Sequence, residues 1–93
     1  MTDQQILRLP AVLAQAGVSR SAIYQRIAQR LYPRPMRLGA RAVGWYGYEI
    51  STLNAARAAG KSDDEIRVLV GRLETMRVTA SEKLLRTVAT ESA

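Results

Sequence analysis

The chain has 93 residues, 47% of them hydrophobic and 24% charged, which suits one small globular domain rather than a disordered chain. It has no cysteine and no histidine, which removes disulfides, thiolate metal sites, the commonest general base and the commonest zinc ligand. The net charge of +6 is uneven: residues 4–48 carry Arg8, Arg20, Arg26, Arg30, Arg34, Arg37 and Arg41 and no acid, whereas acids and bases balance over residues 49–93.

No run approaches the ~20 apolar residues of a membrane span, and nothing in the sequence reads as a signal peptide. Phe is absent and there are only one Trp and four Tyr, so the core must rest on Leu, Ile, Val, Ala and Met. Such a core is thin, and a partner subunit or DNA would add to its stability. No carboxylate falls between Asp3 and Glu49, so the composition argues against an enzyme and implies neither metal, cofactor nor small-molecule ligand. An acid-free set of arginines points instead to a polyanion, above all double-stranded nucleic acid.

In chain order, Leu9-Pro10 opens a short helix with proline at its start, and Leu9, Val12, Leu13 and Ala16 share one face. Gly17 is a natural stop. Ser19 is a good N-cap for a second helix, "RSAIYQRIAQR", with Ala22, Ile23 and Ile27 inward and Arg20, Ser21, Tyr24 and Gln25 on the other face. Two short helices about a Gly-containing turn have helix-turn-helix spacing.

"YPRPMRLGARAVGW" comes next, residues 32–45. Its prolines forbid helix, Met36 and Leu38 alternate with Arg37, and Val43 and Trp45 alternate with Ala42 and Gly44. Two period-2 segments about Gly39-Ala40-Arg41 predict a β-hairpin with an apolar face and an arginine-bearing face or tip. Met36, Leu38, Val43 and Trp45 are expected beneath it, packed on the first helices. A hairpin in this place is a wing.

A third helix is expected over 48–59, closed by Gly60. Ser62 and Glu65 then form a capping box for a fourth, with Asp63 and Asp64 in its first turn. Ile66, Leu69, Val70, Leu73 and Met76 make one apolar stripe, either a cap on the core or a dimer seam with the same helix of a second copy. Residues 81–93 read as a helical extension or a loose tail. "GKS" at 60–62 ends like a phosphate-binding loop, but the required earlier glycine is replaced by Ala55 and a helix precedes it, so no nucleotide site is expected.

The fold class is therefore mostly α with a small β-hairpin: a winged helix-turn-helix over 1–60, an amphipathic helix over 61–80, and the extension over 81–93. "ILRLPAVLAQAGVSRSAIYQRI" and "YPRPMRLGARAVGW" with a helix directly after resemble the AlpA family of prophage regulatory proteins, themselves similar to MerR-type and excisionase domains. The resemblance runs from about Ile6 to Ala59. The family usually ends its recognition helix with Gly where this chain has Arg30-Leu31, so that helix is expected to run on or end differently. Tyr48 stands for the Ser or Asp that caps the next helix, and Leu53 for a second aromatic.

The resemblance implies a sequence-specific DNA-binding regulator of phage or prophage type, located in the bacterial cytoplasm with the nucleoid. The second helix would enter the major groove. Arg20 is the first candidate for base readout, with Ser21, Tyr24 and Gln25 beside it, and Ser19 is a helix cap whose helix end can also hold a phosphate. Arg37 and Arg41 on the wing, with Arg26 and Arg34, would touch backbone or minor groove; Arg8 and Arg30 read as solvated charges. Two other readings stand beside this one: an excisionase-like factor that bends DNA, and a protein-interaction adaptor working through the fourth helix.

Overall fold

The computed structural model describes residues 5–92. It opens on β1 (Ile6–Arg8), which leads straight into α1 (Leu9–Ala16) with Pro10 in the first turn, where a missing N–H costs nothing. Leu9 and Val12 are buried, and Gly17 ends the helix at φ 68°, its N–H donating to the Leu13 carbonyl at 2.9 Å. After Val18 and Ser19 comes α2 (Arg20–Ala28), capped by Ser19 Oγ, which accepts the Ala22 N–H at 3.2 Å. Ile23 is its fully buried residue.

The end of α2 corrects an expectation. The helix neither runs on nor changes its exit: Arg30 itself takes the left-handed conformation, at φ 62°. Its N–H donates to the Ile27 carbonyl at 3.0 Å, and the Leu31 N–H reaches the Arg26 carbonyl at 2.8 Å. This is the glycine-type helix stop built with an arginine. The strain of roughly 1–2 kcal/mol is offset by the burial of Leu31, Tyr32 and Pro33 directly after it.

The wing is β2 (Met36–Arg37) and β3 (Val43–Tyr46), turned where the Leu38 N–H donates to the Ala42 carbonyl at 2.8 Å. β1 adds on the far side of β3, so the expected hairpin is two strands of a three-stranded antiparallel sheet, ordered β1-β3-β2. The pairing also redistributes its faces. Arg37 sits opposite Val43 and Met36 opposite Gly44, while Leu7 sits opposite Trp45. Residues directly opposite share a face, so Trp45, Leu7, Val43 and Arg37 lie on one side and Met36 on the other. Leu38 is therefore not beneath the wing: it is 42% exposed and closes over Gly44 from outside. A Cβ on Gly44 would lie 2.7 Å from Ile6 Cγ2 and 3.0 Å from the Leu7 carbonyl oxygen.

Trp45 is the centre of the core, wholly buried, with Nε1 donating to the Pro33 carbonyl at 2.9 Å. That bond fixes the proline segment to the middle strand. α3 (Gly47–Ala58) supplies Ile50 and Leu53, both buried, and ends before Gly60. α4 (Asp63–Ser92) starts at the expected capping box: Ser62 Oγ accepts the Glu65 N–H at 3.2 Å, and Glu65 Oε1 accepts the Ser62 N–H at 2.9 Å. Ile66, Val70 and Leu73 enter the core and Leu69 is half-buried, whereas Met76 is half-exposed. The helix then continues unbroken to Ser92, about 45 Å in all. Ala93 lies outside the described residues.

α4 also grips the segment between α2 and the wing. Glu49 is completely buried and receives Arg77 as a fork, Nε to Oε2 at 2.6 Å and Nη2 to Oε1 at 2.8 Å. Arg77 Nη1 donates to the Arg34 carbonyl at 2.6 Å, and Glu74 Oε2 accepts the Arg34 N–H at 2.9 Å. Arg67 Nε donates to the Gln29 carbonyl at 3.0 Å. Three side chains of one helix thus hold residues 29–34, and with them the angle between α2 and the wing. The fold is a winged helix-turn-helix, mostly helical, with a small antiparallel sheet and a long C-terminal helix.

Candidate nucleic-acid interface

Short polar caps and strand pairing bring distant arginines to one place. Ser19 starts α2 so that Arg20 and Tyr24 lie one turn apart on its exposed side, with Tyr24 43% exposed. The wing turn carries Arg41, and the β2–β3 register aims Arg37 to the Val43 side. Arg20, Tyr24, Arg37 and Arg41 line one open cleft of about 580 Å³ between the start of α2 and the wing. Arg8, read from the sequence as a solvated charge, lines it too. Its Nε donates to the Val43 carbonyl at 3.1 Å, which ties the side chain to the middle strand.

No acid lines this cleft, and among the described residues no carboxylate pairs with Arg8, Arg20, Arg37 or Arg41. Four like charges held together repel one another, and an anion in the cleft relieves that repulsion. The lining also includes Gly39, Ala40 and Ala42, small residues that let an extended backbone approach closely.

The other expected site residues lie elsewhere. Ser21 and Gln25 are exposed on α2, outside the cleft lining, and the Ser21 hydroxyl lies 3.4 Å from that of Ser19. Ser19 spends its oxygen on the cap. Arg26 is half-buried in the last turn of α2. Arg34 is exposed, but its guanidinium sits 3.5 Å from Glu74, where Arg30 also comes within 3.8 Å. Below Arg26, the Tyr32 hydroxyl is buried without a hydrogen-bond partner among the described residues. Burial pushes this phenol up to about 12, with the Arg26 charge pulling the other way. Arg8 carried one faint signal in the sequence, the alternation Leu7-Arg8-Leu9, too short to mark a strand without its partner.

Residues 5–55 match the family model described as prophage CP4-57 regulatory protein (AlpA). The chain belongs to that family. Over 61 residues it is 36% identical to the uncharacterized protein ORF88 of Enterobacteria phage P4, covering 66% of this chain and 69% of that one. Over 52 residues it is 36% identical to the DNA-binding transcriptional activator AlpA of Escherichia coli (strain K12), covering 50% of this chain and 74% of that one. No solved structure matches the chain. The family match spans β1 to most of α3, and so contains every cleft residue, while α4 lies outside it.

Proposed function

We propose that this chain is a DNA-binding transcriptional regulator of phage type that engages duplex DNA through the arginine cleft and the exposed side of α2. The observation that carries this reading is the convergence of Arg8, Arg20, Arg37 and Arg41 from separate elements on one acid-free surface. Membership of the AlpA family, with one relative named as a DNA-binding transcriptional activator, supports it.

In this reading α2 enters the major groove, and Arg20, Ser21 and Gln25 meet base edges near its N-terminal end. One sugar–phosphate strand passes through the cleft, held by Arg8, Arg37 and Arg41. The wing follows that strand towards the neighbouring minor groove. Glu49, the acid nearest the wing in sequence, is consumed by Arg77.

Selection of bound sequences from a random duplex pool tests the division of labour. The wild-type chain should enrich a defined sequence. Arg20→Ala should flatten the preference at one position, at a cost of about 1–3 kcal/mol to the preferred site. Arg41→Ala should weaken all sequences alike. Enrichment that survives Arg20→Ala unchanged would remove this helix from base readout.

A further inference from the structure

We propose that the distal half of α4 is the dimerisation element of this protein, pairing antiparallel with the same segment of a second copy about a two-fold axis at Leu84. The stripe expected to serve as a seam, Ile66, Val70 and Leu73, is occupied by the chain's own core. The same helical face continues beyond it. At 100° per residue, Arg77 and Leu84 fall within about 60° of Ile66, Val70 and Leu73. Up to Leu73 this face is covered, and Arg77, one turn further on, still bonds to the body. Every residue from 78 to 91 is exposed, and Leu84, on this face, is 65% exposed.

The projecting part, some 15 residues and about 22 Å long, continues a helix that the body has already nucleated, so only its own propagation holds it in water. Its exposed stripe is a surface open to association, and three features select a second copy. First, the covered-to-exposed face is uncharged between Arg77 at the body end and Glu91 at the far end, while Glu82 and Arg86 point away from it. Antiparallel pairing centred on Leu84 sets the second copy's Glu91 beside Arg77, whose charge is already matched by Glu49, whereas parallel pairing would set Glu91 against Glu91.

Second, α4 borders a cleft of about 380 Å³ walled by the stacked rings of Tyr46 and Tyr48, 5.4 Å apart, and lined along the helix by Arg77, Ala80, Ser81, Lys83, Leu84 and Thr87. The notch and the helix end that fills it belong to the same chain, which is the self-complementarity a two-fold interface requires. Third, two helices of this length alone cover too little for the ~800 Å² per partner of a stable interface, and the tyrosine walls supply further area.

A two-fold dimer presents two copies of α2, so a DNA target would carry inverted half-sites. That consequence rests on the DNA-binding reading, whereas the dimer does not. The test therefore uses the whole chain without DNA. Sedimentation from about 1 to 100 µM, a range spanning modest interfaces, should show a dimer. Leu84→Glu should weaken it by at least about tenfold, while Val68→Glu, on the opposite face of α4, leaves it within about twofold. Because the chain has no cysteine, Leu84→Cys also gives a single thiol, which should oxidise readily to a linked dimer. A monomer at every concentration would overturn the proposal. So would a dimer that survives Leu84→Glu, or a Leu84→Cys chain that does not cross-link.

Discussion

From Gln5 to Tyr48 the chain carries arginines without an acid; along α4 acids and bases stand side by side, and the two regions use arginine in different ways. Arg67 and Arg77 of α4 are consumed internally, on backbone carbonyls, Asp64 and Glu49. Arg8, Arg20, Arg37 and Arg41 have no carboxylate partner among the described residues and converge on a cleft. A thin domain keeps a cationic surface in shape by separating these two jobs. The charges that would face an anion sit on short elements, and the charges that fix those elements sit on a long helix beside them.

The heaviest loss should come from cutting the link between the regions. Arg77→Ala leaves the fully buried Glu49 without its partner and frees the Arg34 carbonyl, which should cost about 3–5 kcal/mol. For a domain of this size each kcal/mol moves the melting temperature by roughly 4–8 °C, so thermal unfolding reads it directly. A loss below about 1 kcal/mol would mean that α4 does not hold the wing. Gly44→Ala tests the sheet itself. The added methyl meets the flexible ends of Ile6 and Leu38, which can move, and the Leu7 carbonyl, which cannot, so about 1–3 kcal/mol should be lost in denaturant unfolding.

Two substitutions should go the other way. Tyr32→Phe removes a buried hydroxyl that has no partner among the described residues and should stabilise by about 1 kcal/mol. The pH dependence carries a further sign. In the folded chain burial holds the phenol neutral up to about 12, against 10.0 when free, so the unfolded state ionises first as pH rises. Stability that is present below pH 10.0 should fall between there and about 12 in the wild type, and Tyr32→Phe should remove that part of the alkaline loss. The mildest change is expected for Arg30→Gly. It relieves the left-handed strain at φ 62° and gives up only a long, exposed contact to Glu74, for a net gain of about 0.5–1 kcal/mol in the same unfolding assay.

Local rules made much of this fold legible. Ser19 and the Ser62–Glu65 pair cap helices where their spacing predicts, Gly17 stops α1, and Trp45 fills the core. The misses are all non-local. β1 is three residues long and exists because Val43–Tyr46, far along the chain, offers it an edge. Alternation in the wing was visible, yet the turn sets the register, so Arg37 shares a face with Val43 and Leu38 leaves the underside. The bond between Glu49 and Arg77 spans two helices that no periodicity connects. Arg30 takes a glycine's conformation because the buried run Leu31-Tyr32-Pro33 over-determines the exit. Of the candidate site, the arginine set was legible, but not the exclusion of Arg34 nor the inclusion of Arg8.

The contrast between the two regions can be measured in one series. Duplex affinity is determined as a function of salt for the wild type, for Arg8→Ala and Arg37→Ala in the cleft, and for Arg72→Ala and Arg86→Ala on α4. Each cleft substitution should lower the slope of log affinity against log salt by about one, as one phosphate contact is lost, and each α4 substitution should leave it unchanged. Equal flattening by both pairs, or none by the cleft pair, would contradict the assignment of DNA binding to the arginine cleft.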